Sequence, residues 1–261
     1  YNTFPYSNNT LKSMFLSLPF FNNTNSFIYT WILEKRIKMA DEITVSSSTL
    51  QRSYGGTFIS SSSNEDLFDS DLYKRDEIRE TMGWEDYIVI LFAGKVNRDT
   101  DINLLINAVK EIDQPKLKLA IVGDNKIKNI DNQDKFYLNT FQPSQNIAKL
   151  LSACDLVVIP QNDTHSTFGK IPIKLYEAMS SSKIIIAPDT DDFSDILSDC
   201  GFTYKSGNLV SLKEAIVEAT NDLELSNNLG TKAREKYLEK YSKKIMSQKL
   251  KSFFDKFEKK I

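Results

Sequence analysis

Lys174 and Glu177 stand three positions apart in a stretch of helical period, so an α-helix places a cation and a carboxylate on one face. Such a pair can hold a diphosphate with its ammonium and ribose hydroxyls with its carboxylate. It can equally be a surface ion pair worth about 0.2 to 0.5 kcal/mol. Four further segments carry residue types suited to anions: Gly94-Lys95-Val96-Asn97-Arg98, Gly123-Asp124, Gln142-Pro143 and Phe168-Gly169-Lys170. Glycine lets a ligand approach the main chain, and the free amides of a helix start attract phosphate oxygens. Lys95 and Lys174 would add positive charge. Each feature alone is weak: Lys95 and Arg98 also read as a solvated loop, and His165 as an ordinary loop residue.

What unites these segments is the element that precedes or follows each one. From about residue 86, short β-branched runs alternate with segments of helical period, the pattern of a parallel sheet with crossover helices. Strands are expected at residues 88–92, 117–122, 156–160 and 183–187, with a weaker one at 136–141; their near-continuous apolar runs suit burial on both faces. Helices are expected at residues 102–112, behind the polar cluster Arg98-Asp99-Thr100-Asp101, and at 144–153, 170–180, 193–197, 209–220, 226–240 and 243–259. In an open parallel sheet, ligands collect beyond the carboxyl ends of the strands, where all four segments fall. Residues 1–85 differ, with an Asn/Ser/Phe-rich opening, a helix at 26–39 and strands at 42–46 and 57–60, too little for a complete doubly wound domain. The run Ser60-Ser61-Ser62-Ser63-Asn64 is polar and flexible in composition, which puts a linker near residues 61–72.

Composition narrows the function classes. Hydrophobic residues make up 41% and charged residues 26% of the 261, a globular balance. Thirty-three Lys and Arg against 35 Asp and Glu leave a net charge of -2, so no global field favours nucleic acid, and any phosphate must be held locally. Cys154 and Cys200 are expected to be buried, reduced thiols rather than a disulfide framework, and the sole histidine, His165, belongs to no metal-ligand cluster. The longest early apolar stretch, residues 14–21, is far shorter than the roughly 20 residues of a spanning helix, so a soluble cytoplasmic protein is expected. A chain opening at Tyr1 without methionine or a charged leader reads as trimmed, and the sequons at Asn8, Asn22 and Asn162 carry no weight without a secretory signal. No strand is followed by Gly-x-Gly-x-x-Gly, which argues against a nicotinamide-dependent dehydrogenase.

Several blocks, taken in order, resemble a known family. These are Ala40-Asp41-Glu42-Ile43-Thr44-Val45-Ser46, Leu91-Phe92-Ala93-Gly94-Lys95 with Asp101-Ile102-Asn103-Leu104-Leu105, Leu119-Ala120-Ile121-Val122-Gly123-Asp124, residues 147–160, Pro172-Ile173-Lys174-Leu175-Tyr176-Glu177-Ala178-Met179 and Lys183-Ile184-Ile185-Ile186-Ala187. Together they resemble the retaining, nucleotide-sugar-dependent glycosyltransferases of the GT-B fold over roughly residues 40 to 250. The block around Glu177 is the most specific. The resemblance implies an α/β, Rossmann-like doubly wound parallel sheet, the C-terminal half of a GT-B fold, plus a partial N-terminal domain. Residues 1–72 would be the remnant of the acceptor-side domain with its linker, 73–242 the nucleotide-sugar-binding domain, and 243–261 a helix packing back toward the N-terminal domain.

The same resemblance implies roles. Glu177 would bind the nucleotide ribose; Lys95 and Lys174 would hold the diphosphate and, with helix-start amides near Gly169, stabilise the departing nucleoside diphosphate without a metal or cofactor. Gly94, Arg98, Gly123, Gln142, Pro143, Gly169, Lys170, Pro172 and Leu175 would complete the substrate-binding set. Three departures matter: the usual arginine after the first glycine is Lys95, the usual Lys-Gly reads Thr100-Asp101, and the first glutamate of the paired motif is Gly169, so the chain resembles the subgroup with Pro-x-Lys-x-x-Glu. The implied reaction moves a hexosyl group to a hydroxyl of a polysaccharide, lipid-linked or other glycoconjugate acceptor, with this chain supplying the donor site and little of the acceptor site. Two rivals remain: a non-catalytic nucleotide-sugar-binding module or partner subunit, and a sugar-nucleotide epimerase of the same fold. The closing helices, with Lys243, Lys244, Lys249, Lys251, Lys256, Lys259 and Lys260 beside Phe253, Phe254 and Phe257, read as packing on the first domain or as a peripheral membrane contact.

Overall fold

A computed structural model describes residues 27–123, 127, 135–140, 142–164 and 166–258. Expectations that fall on residues 14–21, Asn8, Asn22, Ser26, Asp124, Phe141, His165, Lys259 and Lys260 lie outside the described residues. The main body is a six-stranded, all-parallel sheet in the order β5-β4-β3-β6-β7-β8, with β3 (Ile88–Ala93), β4 (Leu117–Gly123), β5 (Phe136–Thr140), β6 (Leu156–Val158), β7 (Ile184–Pro188) and β8 (Phe202–Tyr204). Counted from β3, the order is third-second-first-fourth-fifth-sixth, the doubly wound arrangement whose reversal lies between β3 and β6.

Alternation within each strand assigns its side chains to two cores. Val89, Leu91, Ala120, Val122, Ile185 and Ala187 face α5 (Ser144–Ala153), α6 (Ile173–Ser180), α7 (Asp191–Leu197) and α9 (Leu223–Lys240). Ile90, Phe92, Leu119, Ile121, Ile184 and Ile186 face α4 (Ile102–Glu111) and α8 (Leu209–Asn221). The expected strands and crossover helices are therefore present. The helix expected from residue 170 begins later, at Ile173, because Pro172 is its extended N-cap. Cys154 and Cys200 are free and buried, and burial pushes both thiols up to about 11.

The N-terminal piece holds α1 (Phe27–Arg36), then β1 (Thr44–Val45), α2 (Ser48–Tyr54) and β2 (Thr57–Phe58), the two strands pairing in parallel. α2, α3 (Arg75–Met82) and β8 have no counterpart among the expected elements. Residues 61–72, read as a flexible linker from their polar composition, are tied to the main body at several points, and some of their polar groups serve as hydrogen-bond partners. Ser63 and Phe68 are buried. Tyr237 Oη donates to Glu65 Oε2 at 2.9 Å, Ser181 Oγ donates to the Phe68 carbonyl at 3.0 Å, and Asp69 pairs with Arg234 at 2.7 Å. Arg234 also donates to the Ser180 carbonyl. The last helix, α10 (Lys243–Glu258), lies against the N-terminal piece, with Met246 Sδ accepting from Ser60 Oγ at 3.3 Å and Lys249 over the Phe58 ring at 5.1 Å.

Candidate functional site

β4 ends in a glycine and β3 is followed directly by one, and a side chain at either position would be strained. Gly94 has φ 146° and Gly123 φ 140°. A Cβ on Gly123 would lie 2.3 Å from the Gly94 carbonyl oxygen, and one on Gly94 would lie 2.9 Å from Lys174 Nζ. The two strand ends therefore close on each other, and Gly94 opens directly onto Lys174. Lys174 enters from the first turn of α6, its Nζ 4.4 Å from the centroid of the Phe92 ring. Among the described residues no carboxylate reaches ion-pair distance of it. Burial pulls its pKa down to about 8, with the Glu177 charge opposing. Burial likewise raises Glu177, with Lys174 opposing.

Three cavities follow one another along the carboxyl edge of the sheet. The first, about 260 Å³, is lined by Gly94, Gly123, Gln142, Lys174 and Glu177 together with the apolar Phe68, Ala93, Val122, Ile147 and Ile173. The second, about 210 Å³, lies at the reversal point between β3 and β6 and takes in Gly94, Lys95, Asp99, Thr100, Gln161, Lys170, Pro172 and Lys174. The third, about 200 Å³, includes Gly169 and Lys170 with Thr49 of α2 and Asp192 of α7. Gly94 and Lys174 belong to the first two, Gln161 and Lys170 to the last two, so the crevice is continuous.

Both helices that open onto the first cavity are capped by proline, Pro143 for α5 and Pro172 for α6, and neither cap forms a side-chain hydrogen bond. Their leading amides, at Ser144 and Ile173, adjoin the cavity that those two residues line. Leu175 and Arg98, both of the expected set, line none of the three cavities, and Gly169 has a packing role besides lining the third. Leu175 is fully buried in the core between α6 and the sheet, because the helical period turns it away from the face that carries Lys174 and Glu177. Arg98 is 66% exposed, lines none of the three cavities and reaches Asp99 at 3.8 Å. Gly169 is needed for packing: a Cβ there would lie 2.6 Å from Leu50 Cγ. Thr100 and Asp101 have structural work of their own, Thr100 bridging Gln161 and Asp101 capping α4 through Leu104 N at 3.1 Å.

Sequence reasoning missed Phe68, Asp99 and Asp192. Asp99 was visible only as part of a capping cluster; Phe68 and Asp192 reach the crevice through tertiary packing that no local pattern announces.

The family model described as Glycosyl transferases group 1 matches residues 74–236, more than half of the chain. The chain belongs to this family. An uncharacterized glycosyltransferase of Methanocaldococcus jannaschii is 28% identical over 173 residues, covering 63% of this chain and 46% of that protein. N-acetyl-alpha-D-glucosaminyl L-malate synthase of Bacillus anthracis is 27% identical over 173 residues, covering 62% and 43%. The chain thus spans about half the length of these curated relatives. Sucrose-phosphate synthase from Thermosynechococcus elongatus superposes with a TM-score of 0.74 at 17% identity, over 92% of this chain and 64% of that one. Anabaena HepE, solved in complex with UDP and glucose, gives 0.71 at 16% identity over 90% and 67%. At such identities the superpositions show the shared GT-B fold alone. Within the group 1 glycosyltransferase frame, the matched residues run from α3 into α9 and hold most of the crevice just described, Phe68 of the first cavity and Thr49 of the third lying outside them.

Proposed function

We propose that this group 1 glycosyltransferase chain supplies the donor site for transfer of a hexosyl group from a nucleoside diphosphate sugar to a hydroxyl of a glycan or lipid-linked acceptor. The observation that carries the reading is Lys174: a half-buried lysine whose ammonium sits on an aromatic face, with no carboxylate at ion-pair distance among the described residues, opening onto two adjoining cavities. A buried cation without a partner is costly, and a site that keeps one is suited to an anion. The first cavity, largely apolar with Glu177 at its rim, takes the nucleoside, Glu177 accepting from the ribose hydroxyls. Gly94, Lys95, Lys174 and the amides that open α6 take the diphosphate. As the glycosidic bond breaks, negative charge grows on the departing diphosphate, and these groups stabilise it without a metal. Among the described residues no group of three or more His, Cys, Asp or Glu is placed to hold a metal ion, and no helix is long and apolar enough to cross a membrane. A cytoplasmic protein with at most peripheral membrane contact, through lysines of α10 beside the exposed Leu250 and Phe254, completes the reading.

Calorimetric titration with UDP, GDP and their sugars tests it. Saturable binding is expected, and Glu177→Ala and Lys174→Ala are each expected to weaken it by roughly 1 to 3 kcal/mol, as loss of a charge-assisted hydrogen bond does. A folded chain that binds none of them rejects a donor site complete within this chain. One observation favours a second reading. Thr100 and Asp101 stand where the family usually has Lys-Gly and make structural contacts, which leaves one fewer cation for turnover, as in a non-catalytic donor-binding module. Donor binding without transfer in the full-length protein would select it, and interconversion of the donor without acceptor would instead select an epimerase.

A further inference from the structure

Lys170 lines both the second and the third cavity, and its Nζ donates to Asp99 Oδ2 at 2.7 Å. The other oxygen of the same carboxylate accepts from Ser166 Oγ at 2.8 Å. One side chain of the loop after β3 therefore holds two side chains of the loop that leads into α6. The main chains of the two loops are joined independently of that carboxylate. The Asn162 amide donates to the Asp99 carbonyl at 2.9 Å, Asn162 Nδ2 donates to the Arg98 carbonyl at 2.9 Å, and the Asp101 amide donates to the Pro160 carbonyl at 2.7 Å. Burial opposes ionisation of Asp99, but hydrogen bonds from Lys170 and Ser166 and the charges of Lys170 and Arg98 outweigh it, leaving the carboxyl below its usual range. The Asp99 side chain is 15% exposed, while that of Lys170 is 49% exposed. A lysine that exposed swings freely unless something holds it.

We propose that Asp99 is a positioning residue of the donor site: it fixes Lys170 beside the second cavity, so that a diphosphate meets two placed ammonium groups, Lys170 and Lys174, instead of one. This rests on the nucleoside diphosphate reading of the crevice. Lys174 is placed by burial and by the Phe92 ring, Lys170 by Asp99; Lys95, exposed and without a carboxylate partner among the described residues, is placed by neither. Removing the Asp99 carboxylate has two opposing effects: it releases Lys170, and it removes a negative charge near the phosphates. Release prevails, because Lys170 at 2.7 Å and Arg98 at 3.8 Å already offset that charge.

A double-mutant cycle on the full chain separates the two effects. Affinities for inorganic pyrophosphate, UDP and GDP are measured for the unaltered chain, Asp99→Ala, Lys170→Gln and the double variant, with melting temperatures alongside. Asp99→Ala is expected to weaken pyrophosphate and the bound nucleotide about 3- to 10-fold, and to cause less than about a twofold change once Lys170 is glutamine. Asp99→Asn, which keeps an oxygen facing Lys170, is expected to recover part of the loss. Equal weakening in both backgrounds, as a purely structural role would give, overturns the proposal, and so does no weakening in the unaltered background. In either case, nucleotide binding that still depends on Lys174 leaves the donor reading standing. Failure of the folded unaltered chain to bind pyrophosphate, UDP or GDP overturns both.

Discussion

Lys174 couples stability to function through a single charge. Its pKa in the fold is about 8 against an ordinary 10.5, so the folded state disfavours the ammonium. The unfolded chain binds more protons between those two values, and the contribution of Lys174 to stability rises with pH across that window; below about pH 8 its full cost is present. Lys174→Met is therefore expected to stabilise the chain at neutral pH by about 1 to 3 kcal/mol while weakening anion binding, measured by thermal unfolding and titration. The affinity of the unaltered chain for a nucleoside diphosphate is expected to fall roughly 3- to 10-fold between about pH 7 and about pH 9.5, as the ammonium loses its proton. The Lys174→Met variant shows no such dependence. At this scale the sequence was partly legible. Three-residue spacing placed Lys174 and Glu177 on one face, and glycines marked the ends of β3 and β4. Spacing could not show that Asp99 would occupy Lys170 or that Leu175 would turn inward, because both depend on what lies opposite.

Elements were legible where burial on two faces writes a continuous apolar run, as in β3, β4 and β7. α3 was not, because its inward face mixes Ile78 and Met82 with the basic Arg75 and Arg79. Arg79 is buried, donating to the Ala153, Trp84 and Tyr87 carbonyls, and both Arg79 and Arg75 pair with Asp155. Asp155 also accepts from the Val89 amide at 2.7 Å, so one carboxylate ties α3 to β3. With only Ile78 and Met82 as apolar side chains packed on the core, and guanidinium groups sharing that face, the stripe is too short for periodicity to find. α2 is as polar and is set by its Ser47 cap, and β8 has only three residues. Asp155→Ala is expected to destabilise the chain by about 3 kcal/mol in chemical denaturation, because it leaves buried Arg79 without its counter-charge.

Across the whole molecule, a parallel sheet with crossover helices followed from the alternation of strands and helices and its doubly wound form from the family resemblance, while the attachment of the N-terminal piece followed from neither. That attachment is built from polar pairs: Ser48 Oγ and the Thr49 amide on Asp192 at 2.6 and 3.0 Å, and Ser63 and Glu65 on Tyr237. Tyr237→Phe is expected to cost about 1 to 3 kcal/mol and to speed amide exchange at residues 61–69 in preference to the sheet. The partners in this attachment are far apart along the chain, 165 residues for Asp69 and Arg234 and 186 for Ser60 and Met246. A ribosome therefore releases residues 44–69 long before it has made what holds them. The segment synthesised early is among the last to be secured, and its rate of folding is governed by closure of a loop nearly as long as the domain it rests on.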